Sequence, residues 1–407
     1  MTDIAARHAP NGTRLPITAK DVETAVRGVA AGADDRDRKD LRPFDAVEII
    51  RKARLGALRA PAALGGGSAS LRDLFVFLID LAEADSNVAH LLRNHYAFVE
   101  NILIRSERPL GQRWLGPILD GDIFSNAGGE LVALPVASAE WYQFRTAVTP
   151  DRDGFVINGS KYYTTGALFS DWLTILATQE GTGIVSATMP TSRDGIRIID
   201  DWDGIGQRST ASGTILLENV RVDAEELVSG TEYFGPNYLT TLSQLWLHAV
   251  IAGELRNARK SAIELVRKTR GFGHAPAAEP KHDPLLQQTI GQIASAAYAA
   301  EAMVLDAAAA LDSVYASLVD GVPDADVLLD AQLRTAMVKV HIDAVALQAA
   351  SSVFDVGGGS AAKRTVRLDR HWRNIRTLVS HNITAYKAQG VGDFLVNGTA
   401  LSGNGYY

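Results

Sequence analysis

The sequence predicts an α+β fold in three consecutive parts: a helical domain over residues 1–120, a β domain over 121–230 and a helical bundle over 231–407. Three observations predict it. Apolar residues recur at helical spacing up to about Asp120 and again after Gly235. Between Gly121 and about Val228 the period falls to two, with turn residues between short runs. Strands and helices never alternate as βαβ units require, which argues against a doubly wound sheet and a nicotinamide-dependent dehydrogenase.

In the first part, Thr18–Ala31 and Phe44–Leu58 read as amphipathic helices. A break at Gly65-Gly66-Gly67-Ser68 precedes a longer helix, Leu71–Leu92, with Ser70 as its N-cap. In the second part, Arg145–Thr149 and Phe155–Ile157 alternate around a turn at Asp151–Gly154, and Asn158-Gly159 signals another turn. Leu173–Ala177, Ile184–Met189, Ile196–Ile199 and Thr214–Val222 are further strands, giving a small antiparallel barrel or sandwich. In the third part, Asp324–Val353 is one long Ala-rich helix. Its Leu329, Leu333, Met337, Val340, Ala344 and Leu347 form an apolar stripe suited to an antiparallel bundle.

The bulk numbers exclude several functions. A length of 407 residues allows two or three domains, and 46% hydrophobic with 21% charged residues is ordinary for a globular chain. Net charge is −7 with no basic stripe, so nucleic acid is not expected. The absence of cysteine removes disulfides, thiolate catalysis and thiolate-bound metals. Met1–Arg14 is polar and lacks the apolar core of a secretory signal, and no apolar run reads as membrane-spanning; the expectation is a cytoplasmic protein. The nine histidines form no HExxH, and His90 and His95, five apart, share no helix face, so no metal is expected.

Three Gly-rich segments are candidates for phosphate loops. Gly65-Gly66-Gly67-Ser68 follows no strand, and Gly204-Ile205-Gly206 lacks a third glycine. Gly357-Gly358-Gly359-Ser360 lacks the P-loop lysine, yet it places Ser360 at the start of the next helix, where free N–H groups attract phosphate. Gly357, Gly358 and Ser360 are therefore candidate cofactor contacts.

The segment Arg370–Asn382 resembles the active-site segment of the acyl-CoA dehydrogenases with its acid removed. In that family an Arg-rich helix leads into a turn carrying the glutamate that takes the substrate α-proton. Here Asn382 stands at that place, preceded by His381, and an amide accepts no proton at neutral pH. The family's second location for the base holds Trp246 when aligned on Ala252-Gly253, and the nearby acids Glu232 and Glu254 fit only with a gap. Trp202–Val222 resembles the family's G-x-R-x-S turn and strand, which puts Arg208 beside the flavin face. Lys161–Gly166 resembles K-x-W-I-T-N: Tyr163 takes the aromatic place, Thr165 the hydroxyl place near flavin N5, and Thr164 adds a second hydroxyl. Phe124–Gly128 falls where the family's loop meets the flavin pyrimidine, with Asn126 as its reader. Thr269–Gly273 matches R-x-x-F-G, whose Arg, here Arg270, reaches cofactor phosphate. Of Arg367, Arg370, Arg373 and Arg376, at least two read as ion pairs at a subunit contact.

In order, these segments cover about Leu71 to Tyr386. Together with Arg93-Asn94-His95-Tyr96 and Tyr162–Trp172, they resemble the dibenzothiophene monooxygenase-like branch of two-component flavin monooxygenases. The resemblance implies an N-terminal helical domain, a middle antiparallel β-barrel and a C-terminal four-helix bundle, assembled as a homotetramer. It implies reduced FMN, with FAD as the alternative, delivered by a separate NAD(P)H:flavin reductase. O₂ would add to form a C4a-hydroperoxyflavin that oxygenates a small hydrophobic substrate at S, N or electron-rich C. Neutral donors suit such chemistry better than a carboxylate. That makes His95, Thr164, Thr165, His381 and Asn382 the catalytic candidates, and Phe98, Trp141, Tyr142, Trp172, Trp246 and Leu247 candidates for an apolar wall. The competing readings are an acyl-CoA dehydrogenase or oxidase with an unrecognised base, and a non-enzymatic helical interaction protein.

Overall fold

The computed structural model describes residues 14–107, 109–131, 144–152, 154–230, 238–268 and 275–401. Helix α1 (Ala19–Lys39) opens on a reciprocal capping box between Thr18 and Asp21 and ends only at Asp40, whose left-handed backbone stops it well past Ala31. Helix α2 (Phe44–Lys52) is shorter than expected, because Arg54 turns left-handed and leaves Leu55–Ala57 as a single tight turn. The expected helix Leu71–Leu92 is two: α3 (Leu71–Ala84), capped by Ser70, and α4 (Ser86–Leu91). Asp85 splits them. Its backbone is extended, its carboxylate caps the N–H groups of Asn87 and Val88, and Arg36 holds it at 3.0 Å. Helices α5 (Arg93–Ile104) and α6 (Pro109–Asp120) complete the first domain.

The middle domain is one sheet of eight strands: β1 (Phe124–Ala127), β2 (Ala147–Asp151), β3 (Gly154–Lys161), β4 (Trp172–Gln179), β5 (Gly183–Pro190), β6 (Ile196–Ile199), β7 (Thr214–Val222) and β8 (Leu227–Ser229). The path runs β6-β7-β3-β2-β4-β5-β8, and β1 joins the edge of β4 beyond β2. Both β1 and β2 pair with β4 in parallel, so the sheet is mixed where an antiparallel one was expected. Among the described residues no pairing joins β6 to β8, so the sheet is open and not a closed barrel. Asn158-Gly159 is no turn; it lies inside β3 at a shift in register, with Gly159 packed so tightly on Thr146 that no Cβ fits.

The last domain holds α7 (Leu239–Lys268), α8 (Pro284–Ala316), α9 (Ala325–Ser352), α10 (Asp369–Val379) and α11 (Thr384–Asn397). Helices α7, α8 and α9 pack along one another, α11 lies on α9, and α10 crosses α7 and α9. Helix α3 packs against α7 and α8 and fuses this core with the first domain. The stripe expected to face the core of α9 does not: Met337 and Ala344 are exposed, and Leu329, Leu333, Val340 and Leu347 are only half-buried. Ala331, Thr335, Val338, Ile342, Ala346 and Ala349 fill the core instead. Helix α9 therefore has two apolar faces, and one is largely uncovered among the described residues. Helix α8 likewise corrects the expectation about apolar runs, because it is long and apolar enough to cross a membrane by length and composition, though it packs on α7 and α9 here.

Candidate functional site

A polar cluster, bordering the candidate recess, forms where hydrogen bonds join five pieces of the chain: the start of α5, β1, the turn after β3, the start of α7 and the connection from α10 to α11. The turn is set first. Lys161 ends β3 fully buried, its ammonium 2.8 Å from Glu130 and 3.9 Å from the centre of the Phe144 ring. Burial lowers its pKa to about 8 against that ion pair. Beyond it, Tyr163 takes a left-handed backbone (φ 58°), strained for so bulky a residue, and Gly166 takes another (φ 82°). These twists aim Tyr163 outward, 58% exposed, in edge contact with Tyr162 and Trp202.

The two hydroxyls then separate. Thr164 is buried and donates to the Gly213 carbonyl at 2.8 Å. Thr165 lies 2.8 Å from Ser212 Oγ, and its carbonyl accepts from Ser125 Oγ (2.9 Å) and Asn94 Nδ2 (3.2 Å). Asn126, next to Ser125 on β1, is half-buried at the same edge. Thr165, Ser125, Asn126 and Tyr163 thus share one rim.

Arg93 links this rim to the helical side. Its Nε donates to the Ser243 carbonyl at 2.8 Å, and its Nη1 lies 3.0 Å from His381 Nε2. A guanidinium only donates, so His381 accepts at Nε2 and carries its proton on Nδ1. His381 is exposed at the surface, although protein atoms crowd its ring closely enough to desolvate it. Desolvation there, then the Arg93 cation, push its pKa well below the usual imidazole value and keep it neutral. Asn382 Nδ2 donates to Gln244 Oε1 at 2.6 Å, which leaves Gln244 Nε2 and Asn382 Oδ1 buried with no partner among the described residues. Exchanging O and N in both amides leaves the same remainder, one donor and one acceptor. Unsatisfied polar atoms in a buried place are costly and rare. Little in the sequence singles out Gln244, which sits with Ser243 and His248 as the polar residues of the mostly apolar stretch Leu242–Ile251.

No carboxylate reaches this recess among the described residues. Asp343 is held by Lys339 (2.8 Å), His248 (3.2 Å) and Thr384 (2.5 Å). Glu254 stands ten positions beyond Gln244 on α7, roughly 15 Å along the axis, where it binds His371 Nδ1 (2.6 Å) and Asn374 Nδ2 (3.3 Å). Glu232 lies outside the described residues.

Several expected site residues belong elsewhere. His95 is fully buried; the Phe124 N–H donates to its Nδ1 (3.1 Å) and its Nε2 donates to the Gly56 carbonyl (2.9 Å). The backbone consumes both nitrogens, so His95 is a core tie and not a catalytic group. Arg208 pairs with Asp40 at 2.7 Å and borders a separate groove of about 1160 Å³ between α1, α3, α7 and α10; Arg93, Thr165, Gln244 and His381 are absent from its lining. Gly358–Ser360 is a single tight turn, and the next helix begins only at Asp369, so Ser360 and Gly357 have no helix N-terminus to lend a phosphate. Arg270 lies outside the described residues, as do Trp141 and Tyr142. Phe98 stacks on Phe124 at 4.3 Å, Trp172 packs on Trp114, and Trp246 donates to the Ala89 carbonyl, so these three and buried Leu247 are core rather than an apolar wall.

The recess suits a flavin ring. An exposed aromatic, three hydroxyls (Ser125, Thr165, Ser212), two amides and a neutral imidazole surround it, and Gly129 lies so close to the Tyr162 carbonyl that a Cβ would clash. Among the described residues no free carboxylate reaches it, so they offer no carboxylate base for proton abstraction.

Residues 134–220 match the acyl-CoA dehydrogenase middle domain, and residues 245–386 match the acyl-CoA dehydrogenase C-terminal domain. The chain is 27% identical over 379 residues to a probable FMNH2-dependent monooxygenase, SfnC, of Pseudomonas putida, covering 90% of this chain and 92% of that protein. It is 28% identical over 421 residues to a dibenzothiophene monooxygenase of Mycolicibacterium goodii, covering 96% and 95%. Its fold is similar to that of the methanesulfinate monooxygenase MsuC from Pseudomonas fluorescens, with TM-score 0.83, 26% identity and coverage of 95% and 99%. It is also similar to TdsC from Paenibacillus sp. A11-2 in complex with FMN and indole, with TM-score 0.86, 23% identity and coverage of 95% and 99%.

Proposed function

We infer from its membership of the two-component flavin-dependent monooxygenases built on the acyl-CoA dehydrogenase fold that this chain uses reduced FMN and O₂ to oxygenate a sulfur-containing substrate. A separate flavin reductase supplies the reduced cofactor. When bound, reduced flavin supplies two electrons and activates O₂, so that one oxygen atom goes to substrate and the other leaves as water.

The chain's own contribution follows from its residues. Tyr163, Asn126 and Thr165 would hold the ring system, with Ser125 and Ser212 keeping the Thr165 turn in place. His381, fixed as the neutral tautomer by Arg93, presents Nδ1–H where negative charge develops on oxygen. The observation that carries this reading is the replacement of a carboxylate by neutral donors. The dehydrogenase alternative needs a base, and the described residues bring none to the recess.

The test supplies NADH, FMN, a flavin reductase and ¹⁸O₂ with a panel of organosulfur compounds. One labelled oxygen per product molecule is expected by mass spectrometry. Flavin bleaching by an acyl thioester in the absence of reductase would establish a dehydrogenase instead.

Two further features belong to this proposal. The second apolar face of α9, with Met337 42% exposed, and Tyr298 of α8, 75% exposed, are suited to contact with other copies of the chain, supporting a homotetramer. Light scattering on the purified protein would detect it. Dependence on a pyridine-nucleotide-driven reductase supports a cytoplasmic site of action, which cell fractionation would check.

A further inference from the structure

His381 and Asn382 sit on the short connection, 380–383, between α10 and α11. The connection does little by itself to fix where α11 starts: Ile383 stands at the N-cap, is exposed and has no polar side chain to cap with. Two residues one turn apart on α9 hold it from outside. Lys339 Nζ donates to the carbonyl of Val379, the last residue of α10, at 3.2 Å, and Asp343 accepts from the hydroxyl of Thr384, the first residue of α11, at 2.5 Å. Lys339 and Asp343 are themselves joined at 2.8 Å. The other carboxylate oxygen of Asp343 lies 3.2 Å from His248 Nε2, and His248 Nδ1 donates to the Gln244 carbonyl at 3.1 Å. One carboxylate therefore refers both members of the Gln244–Asn382 pair to the same point, the first through His248 and the second through Thr384. Lys339, Asp343 and His248 are all almost wholly buried.

Stability alone does not account for this cluster. Replacing a buried ion pair by apolar side chains of similar volume is often neutral or stabilising, and the neighbouring core positions of α9 are already apolar, among them Val338, Ile342 and Ala346. What an ion pair adds to an apolar contact is direction, because its hydrogen bonds hold only over a narrow range of length and angle. The cluster also acts on the imidazole: after burial, Arg93 and His90, the Lys339 and His248 charges add to the lowering of the His381 pKa. We propose that Lys339, Asp343 and Thr384 are positioning residues for the oxygenation, which fix the connection at both ends and so set where His381 Nδ1–H and the Asn382 amide stand. The proposal rests on the oxygenase reading and deepens it. A donor acts only within hydrogen-bond length of the oxygen on which charge develops, and a displacement of about 1 Å can cost about 10²-fold in rate. With the donors misplaced, oxygen is lost as peroxide, FMNH₂ + O₂ giving FMN + H₂O₂, and the substrate stays unchanged.

The experiment compares Thr384→Val, which keeps the shape of the side chain and removes its hydroxyl, with Thr384→Ser, which keeps the hydroxyl. In the full-length protein without cofactor, amide hydrogen exchange of the peptide spanning residues 379–386 should quicken about tenfold in Thr384→Val and stay near the parent's rate in Thr384→Ser. Turnover is then followed with NADH, FMN, a flavin reductase and the same panel of organosulfur compounds. The ratio of oxygenated product to peroxide should fall about fivefold or more in Thr384→Val and return in Thr384→Ser. Lys339→Met, which frees the α10 end, should lower the same ratio. The urea midpoint and FMN affinity of Thr384→Val should match the parent's. An unchanged ratio in Thr384→Val, or exchange that does not quicken, overturns the proposal. So does a ratio that falls only together with flavin affinity or the urea midpoint, since the cluster would then be structural. The two readings fail separately. A parent that transfers oxygen while Thr384→Val keeps the same ratio sinks the positioning role alone. A parent that transfers oxygen to no sulfur compound sinks the oxygenase reading, and the positioning role with it.

Discussion

Helix α7 carries two polar clusters, and they differ in one respect. Around Glu254 every group is satisfied: Glu254 binds His371 and Asn374, His371 Nε2 meets Ser261 at 3.0 Å, and Asn374 Oδ1 accepts from the Gln207 N–H at 2.8 Å. Gln207 continues the chain to Ser86 and His90. Around Gln244, ten residues earlier, a donor, an acceptor and a guanidinium edge are left over. A closed network fastens elements together, here α10 and the Gln207 turn onto α7. An open one is made for something that arrives later. Charge alone would have picked the wrong cluster, because the buried acid is in the closed one.

The sharpest way to break this contrast is to open the closed network. Glu254→Ala strands a buried imidazole and amide, and removing one partner of a buried pair costs about 3–5 kcal/mol. The midpoint of urea unfolding should fall accordingly. A Glu254 variant that folds normally and loses only turnover would move the acid into the active site.

The open cluster should behave in the opposite way. His381→Ala removes a donor placed for developing charge, which is worth about 2.7–4 kcal/mol of barrier, or roughly 10²–10³-fold in rate. Stability should change by no more than about 0.5 kcal/mol, as for sites outside closed networks. Oxygenation of substrate should drop while NADH-driven peroxide release rises, and both are measurable in one coupled assay.

A third contrast uses pH on the closed side of the molecule. Burial lowers the pKa of His95 to about 4, against 6.5 for the free imidazole. The unfolded chain therefore binds more protons between these values, so stability is complete above pH 6.5 and falls as pH drops toward 4. The loss is on the order of 3 kcal/mol for this residue. His95→Gln can keep the bonds to Gly56 and Phe124 without titrating, so its unfolding free energy should slope less steeply across that window. An identical slope would free His95 from its structural role.

Much of this was legible in the sequence. Ser70 announced its helix because a capping side chain acts on its own first turn. Strands β6 and β7 fell where alternation placed them. The failures all depended on distant partners. Asp85 breaks a helix because Arg36, far away in sequence, holds it. Asn158-Gly159 enters a strand because Thr146 and β7 pack on it. The α9 stripe was a genuine pattern assigned to the wrong face, since a helix apolar on two sides does not say which side meets its own chain. In the recess, His381, Asn382, Thr165 and Asn126 were readable by resemblance, whereas the use of both His95 nitrogens by backbone was not.

The smallest effect is the most useful check on the resemblance itself. It places Arg208 at the flavin, yet the guanidinium is 48% exposed, pairs with Asp40 and borders the large groove on the far side of the Gln207 turn. An exposed ion pair is worth about 0–1 kcal/mol. Arg208→Ala should therefore shift the urea midpoint barely, and the affinity for reduced FMN, measured by anaerobic fluorescence titration, should stay within about twofold, since less than RT is at stake. Ser209 keeps the turn in place through Asn87 and the Leu41 carbonyl, so loss of the guanidinium does not release it. A tenfold loss of flavin affinity would mean that Arg208 leaves Asp40 when flavin binds. The groove and the recess would then be one site spanned by the cofactor, and the division between open and closed clusters on α7 would have to be redrawn around it.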